Sequence, residues 1–214
     1  THWLLENGYD GLIIDLANEC DAESYWPELR LPNIHELILR VKDDVALYGN
    51  RTGQERSFYV GASFTGSFSI AERAADIPDA FLRSVDLLLP HGNGRCTEDI
   101  RGEIQALRER SVAVVGRRMP IVYNEDLRRT PAEPCEDYGG DLGHLNVCVE
   151  MGVSWGNLIR SHQRVPCENW VDGTAVQRAW LEATRQLAGK PHPPRSVTRI
   201  SKRMRYRLPT SKWR

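Results

Sequence analysis

No stretch of this 214-residue chain approaches the ~20 consecutive apolar residues of a membrane-spanning helix, so it offers no transmembrane segment. It has no C-x-x-C, His-x-His or His-Glu-x-x-His spacing, and its five cysteines (Cys20, Cys96, Cys135, Cys148, Cys167) are odd in number and scattered. Neither a zinc site nor a disulfide framework is signalled, and free thiols are expected. A metal-dependent hydrolase using His91, Glu125 and His144 finds no support in such spacing, and no metal or other cofactor is called for. Internal repeats and low-complexity tracts are missing too. No charged-then-apolar leader precedes the first strand, which follows Thr1 almost at once, as in a chain entered in its middle.

What is present is ordinary for a globular domain with a real core: 41% hydrophobic and 27% charged residues. The net charge of -1 hides an asymmetry. Residues 190–214 hold nine cations and no acid, leaving 19 of the 28 basic residues against all 29 acidic ones in 1–189. With Pro191, Pro193 and Pro194 at its start and little apolar content, 190–214 is expected to be a disordered basic tail beside a domain at 1–189. A basic run without interleaved stacking aromatics reports charge alone, so no specific nucleic-acid partner is expected.

The run Gly11-Leu12-Ile13-Ile14-Asp15-Leu16 fits a strand buried on both faces, and it empties into Ala17, Asn18 and Glu19. Apolar residues at 34, 37, 38, 41, 45 and 48 give a helix over 34–48, stopped by Gly49-Asn50. A second strand at 57–62 ends in a small polar loop from Ser63, and a weaker helix is expected over 71–83. The third strand, 85–90, leads into His91-Gly92-Asn93-Gly94. An amphipathic helix follows over 97–112, with Thr97 as N-cap and Glu98 and Asp99 in its first turn. The strand 121–123 carries Asn124, Glu125 and Asp126. A Pro-rich loop (128–140), a helix (142–151), a short strand (152–156) ending at Trp155-Gly156 and a last helix (174–187) complete the domain. Strands alternating with helices predict a parallel α/β sheet, either open or part of a barrel.

The strand ends carry Asn18 and Glu19, then Ser63, then His91 and Asn93, then Tyr123, Asn124 and Glu125, then Trp155. In α/β barrels the carboxyl ends of the strands hold the catalytic groups. Two carboxylates can act as nucleophile and acid/base at a glycosidic bond, while Asn binds a hydroxyl and Trp offers its ring face to a sugar. Each has a plainer alternative. His91 can be a loop histidine on a backbone carbonyl, and Asp15 and Asp86 can be structural. His144 and His162 are expected at the surface, and Trp26 and Trp170 can be packing aromatics.

The Asn-Glu after the first strand, a Glu ending a strand about a hundred residues later, the intervening His and the final Trp resemble the latter part of a clan A retaining glycoside hydrolase, cellulase-like and family 5-like. The resemblance implies a partial (β/α)8 TIM barrel, with parallel strands 4 to 8, intervening helices and strands 1 to 3 upstream. It implies a carbohydrate substrate, Glu19 as acid/base and Glu125 as nucleophile. Asn18, His91, Asn93, Tyr123, Asn124 and Trp155 are then the substrate-binding residues. The flanking of Glu125 by Asn124 and Asp126 departs from the small neighbour such enzymes carry. The alternative is a non-catalytic carbohydrate-binding homologue, whose mark would be a missing carboxylate, and both are present.

Overall fold

A computed structural model describes residues 1–23, 26–65, 74–126, 140–156, 182, 183, 185 and 186, with the backbone alone at 140–142. The expected basic tail, the Pro-rich loop and all but four residues of the last helix lie outside them, as do Cys135, Cys167, His162 and Trp170. The order is α1 (His2–Glu6), β1 (Leu12–Asp15), a 3-10 turn (Pro27–Leu29), α2 (His35–Thr52), β2 (Phe58–Gly61), β3 (Ser63–Phe64), α3 (Asp79–Ser84), β4 (Leu89–Pro90), α4 (Thr97–Val115), β5 (Val122–Tyr123), α5 (Gly140–Met151) and β6 (Ser154–Trp155).

Every strand pairing among the described residues is parallel. β1 runs beside β2 with Leu12 opposite Phe58 and Asp15 opposite Gly61, β3 beside β4, and β5 beside β6. Only Ala62 separates β2 from β3, and single bridges, Leu88 to Ile121 and His91 to Glu125, tie β4 to β5. The strands therefore lie side by side in chain order. Helices follow suit: α1 packs on α2, α2 on α3, α3 on α4, and α4 on α5. The core between the layers is built from Ile34, Ile38, Val60, Phe64, Phe81, Leu88, Ile104, Leu107 and Tyr123.

β1 is not buried on both faces. Its burial alternates, and Ile13 (54% exposed) stands opposite Tyr59 (52% exposed) on a face that no described residue covers. Helix ends also differ from the sequence pattern, for local reasons. α2 passes through Gly49, which costs only about 0.5–1 kcal/mol inside a helix, and stops at Gly53, whose φ of 68° makes the left-handed cap. No single helix covers 71–83. Residues 75 and 76 form a turn and Pro78 caps α3, because a proline disfavours helical backbone in the residue before it. α4 is capped by Cys96 rather than Thr97: Asp99 Oδ2 accepts the Cys96 N–H at 3.2 Å, and the helix continues to a left-handed Gly116.

Nor are all the thiols free. Cys96 is disulfide-bonded to a partner outside the described residues, whereas Cys20 and Cys148 are free and buried. Burial pushes the Cys148 thiol up to about 12 and Cys20 higher still, so both are inert packing groups at neutral pH. Asp86 is structural, with Oδ1 2.7 Å from Lys42 Nζ and Oδ2 accepting the Val60 N–H at 2.9 Å. Trp26 is exposed rather than packed.

Candidate active site

Parallel strands in sequence order bring their carboxyl ends to one edge, and the candidate residues meet there. Past β1 the chain turns tightly, and Glu19 has a φ of 53°, the positive-φ non-glycine residue of the described chain. That conformation costs on the order of 1–3 kcal/mol for a residue with a side chain, so the surroundings must hold it. Ser63 does so. Its Oγ accepts the Glu19 N–H at 3.2 Å, its carbonyl accepts the Cys20 N–H at 2.8 Å, and its own N–H reaches Asp15 Oδ1 at 2.9 Å. Asn18, exposed, precedes Glu19 in the same turn.

His91 continues β4 by one bridge residue. Its N–H bonds the Phe64 carbonyl at 3.0 Å, and the next N–H, of Gly92, bonds the Glu125 carbonyl at 2.9 Å, so main chain from two strands fixes the imidazole. The ring, 0% exposed, lies between the two glutamates. Nδ1 is 3.1 Å from Glu19 Oε1, whereas Nε2 is 3.9 Å from Glu125 Oε2 and has no hydrogen-bond partner among the described residues. Asn93 Nδ2 donates to Glu125 Oε1 at 2.8 Å. One donor atom each from Glu19, His91 and Glu125 fall within 4.8 Å of one another. Asn124, the other neighbour of Glu125, donates to Asp15 Oδ2 at 3.1 Å and so ties the end of β5 back to β1.

Behind Glu125 stands a second cluster. Asp126 Oδ2 accepts the Trp155 indole N–H at 2.6 Å and faces His144 Nδ1 at 2.7 Å, while His144 Nε2 faces the Arg95 carbonyl at 3.0 Å. Both ring nitrogens of His144 thus face oxygens, one on Asp126 and one on the Arg95 carbonyl. The absence of a side chain at Gly92 makes room, since a Cβ there would lie 3.0 Å from Asp126 Cγ. His144 is thus 1% exposed, not a surface residue, because it shares the buried face of α5 with Cys148.

Tyr123 does not reach the site. Its ring is fully buried and its hydroxyl donates to Glu103 Oε2, on α4, at 2.7 Å. Burial, above all, pushes the Glu103 carboxyl up to about 8; the Tyr123 hydrogen bond and Arg95 oppose this, while Asp99 and Asp21 add to it. Burial and the neighbouring Glu103 likewise raise the Tyr123 phenol well above its ordinary value. The structure thus brings Glu19, His91, Asn93 and Glu125 together, whereas Tyr123, expected among the substrate-binding residues, is buried on Glu103 instead. Sequence reasoning missed Asp126, His144 and Glu103, although Ile100, Glu103, Ile104 and Leu107 follow the spacing of one buried helix face.

Of the three residues weighed as metal ligands and not supported by their spacing, His144 faces Asp126 and the Arg95 carbonyl, while Glu19 lies beside His91 and Glu125. Neither a family model nor a curated protein matches this chain.

Proposed function

We propose that this chain carries the catalytic pair of a retaining O-glycoside hydrolase of the cellulase-like kind, built on part of a (β/α)8 barrel. Strands in unbroken chain order, with each helix packed on the next, support a singly wound barrel over a doubly wound sheet, where the strand order reverses at a switch point. Helices of a doubly wound sheet would divide between two faces.

The observation that carries the reading is the closeness of Glu19 and Glu125, whose nearest carboxylate oxygens fall within 4.8 Å. Retaining enzymes hold their two carboxyl groups ~5–5.5 Å apart, and inverting enzymes leave ~6.5–9.5 Å for a water. Glu125, oriented by the Asn93 amide N–H that its Oε1 accepts, is the carboxylate that attacks the anomeric carbon. As that bond forms and the glycosidic C–O bond breaks, Glu19 passes its proton to the departing oxygen. Glu19 then takes a proton from water, which attacks the same carbon and releases Glu125. Asn18, Asn93, Asn124 and Trp155 are the sugar contacts, with Trp155 fixed through its indole N–H so that a ring face meets the substrate.

Aryl glycosides test this with the full-length protein. Glu125→Ala should abolish turnover, and azide should restore it with inversion of configuration. Glu19→Ala should spare the first step for substrates with good leaving groups, and azide should give a product of retained configuration. Identical, unrescued losses at both positions, or wild-type products of inverted configuration, would remove the assignment.

A further inference from the structure

One atom in the site has no counterpart in the hydrolytic scheme. His91 Nε2 is buried, lacks a hydrogen-bond partner among the described residues, and faces Glu125 Oε2 across 3.9 Å. When Nδ1 donates its proton to Glu19 Oε1, the neutral ring presents a lone pair at Nε2 toward a carboxylate. A separation of 3.9 Å is too long for a proton to bridge as a hydrogen bond. It is close to what a cation between the two atoms requires. With bonds of ~2.0–2.2 Å to nitrogen and oxygen, the nitrogen–oxygen span is about 3.4 Å at a tetrahedral angle and about 4 Å as the angle opens.

We propose that His91 Nε2 and Glu125, with Glu19 holding the imidazole through Nδ1, form a binding site for one divalent transition cation of the zinc class, and that a cation held there blocks the site. The donors are matched to that class, because an imidazole nitrogen beside a carboxylate suits zinc or cobalt better than calcium or magnesium. Supporting contacts are in place. A ligating histidine characteristically gives its other N–H to an acceptor, here Glu19, and Asn93 orients the Glu125 carboxylate. The glutamate side chains are 34% and 24% exposed, so the cation enters from the solvent side while the imidazole forms the floor. Occupancy takes the charge of Glu125 out of use as a nucleophile. The binding half stands independently; the inhibitory half rests on the hydrolase reading.

The test uses the full chain freed of metal by chelator. Co²⁺ should bind with a visible d–d absorption of one equivalent, Zn²⁺ should abolish that absorption by displacement, and Ca²⁺ should not. Glu125→Gln and Glu19→Gln, which keep shape at partly exposed positions, should each weaken Co²⁺ binding at least tenfold; His91→Ala should lose the band. No cobalt band, or binding unchanged in both glutamine variants, overturns the site. Where turnover is measured, Zn²⁺ should inhibit and chelator should restore. Cobalt binding without glycoside turnover by metal-free protein would leave the metal site standing and remove the hydrolase reading. Turnover indifferent to Zn²⁺ would do the reverse.

Discussion

Tyr123 and Glu103 meet at 2.7 Å in the core, directly beneath the strand that leads to Glu125, and one of them is an acid held protonated by burial. A carboxyl whose folded value is raised from 4.5 to about 8 binds its proton more tightly in the native than in the unfolded chain. Below 4.5 both states are protonated and the full stability is present; as pH rises toward 8 the unfolded chain alone gives up the proton, and stability falls. Glu103→Gln, which cannot ionise, should lose this slope. Urea unfolding of both proteins across that window should show them converging at the acid end and the variant ahead at the alkaline end. Parallel curves would place the titration elsewhere.

The contact of Gly92 with Asp126 predicts a steric effect. Gly92→Ala puts a methyl group 3.0 Å from Asp126 Cγ, so the carboxylate or the β4 loop must move. A loss of about 1–3 kcal/mol is expected, as for other overpacked sites. Trp155 fluorescence should shift with it, since the indole N–H bonds the displaced carboxylate.

His144 and Asp126 should show strong coupling. Removing either leaves a buried partner without its counter-group, at a cost of about 3–5 kcal/mol when the pair is ionic. His144→Ala and Asp126→Ala should each destabilise strongly, and the double variant by much less than the two together, as read by thermal unfolding. Additive losses would mean the two side chains act separately.

Asp86 and Lys42 should be unequal. Lys42→Ala removes a half-exposed ion pair and should cost less than about 1 kcal/mol. Asp86→Ala also strands the Val60 N–H and should cost about 1–3 kcal/mol. Chemical denaturation of the two variants gives the comparison.

Glu19, His91 and Glu125 were legible because each follows an apolar run, and a run's end is visible without knowing its face. The direction of Tyr123 was not. Its ring is among the largest fully buried side chains, and its burial on Glu103 outweighs any place in the site, but the pleat's phase is set by tertiary packing rather than by the apolar run. His144 was legible in principle. It lies one helical turn before buried Cys148 and two before Met151, yet a search for metal-ligand spacing passes over a histidine whose partner is an aspartate from another strand. The face of β1 bearing Ile13 was misjudged for the opposite reason: an unbroken apolar run predicts two covered faces, and only one is covered by described residues. The Cys96 bond was hidden because an odd number of dispersed cysteines names no pair.

The left-handed backbone at Glu19 sets stability against chemistry. Glycine meets no steric penalty there and asparagine tolerates it far better than glutamate, so either exchange should raise the unfolding midpoint while removing the carboxylate that faces His91. Selection for persistence alone would drive this position away from glutamate. Under selection for a folded protein alone, residue 19 would drift toward Gly or Asn while Ser63 beneath it stayed the same. The glutamate is therefore a residue that its own backbone geometry disfavours, held there by the Ser63 contacts and facing the buried His91 ring.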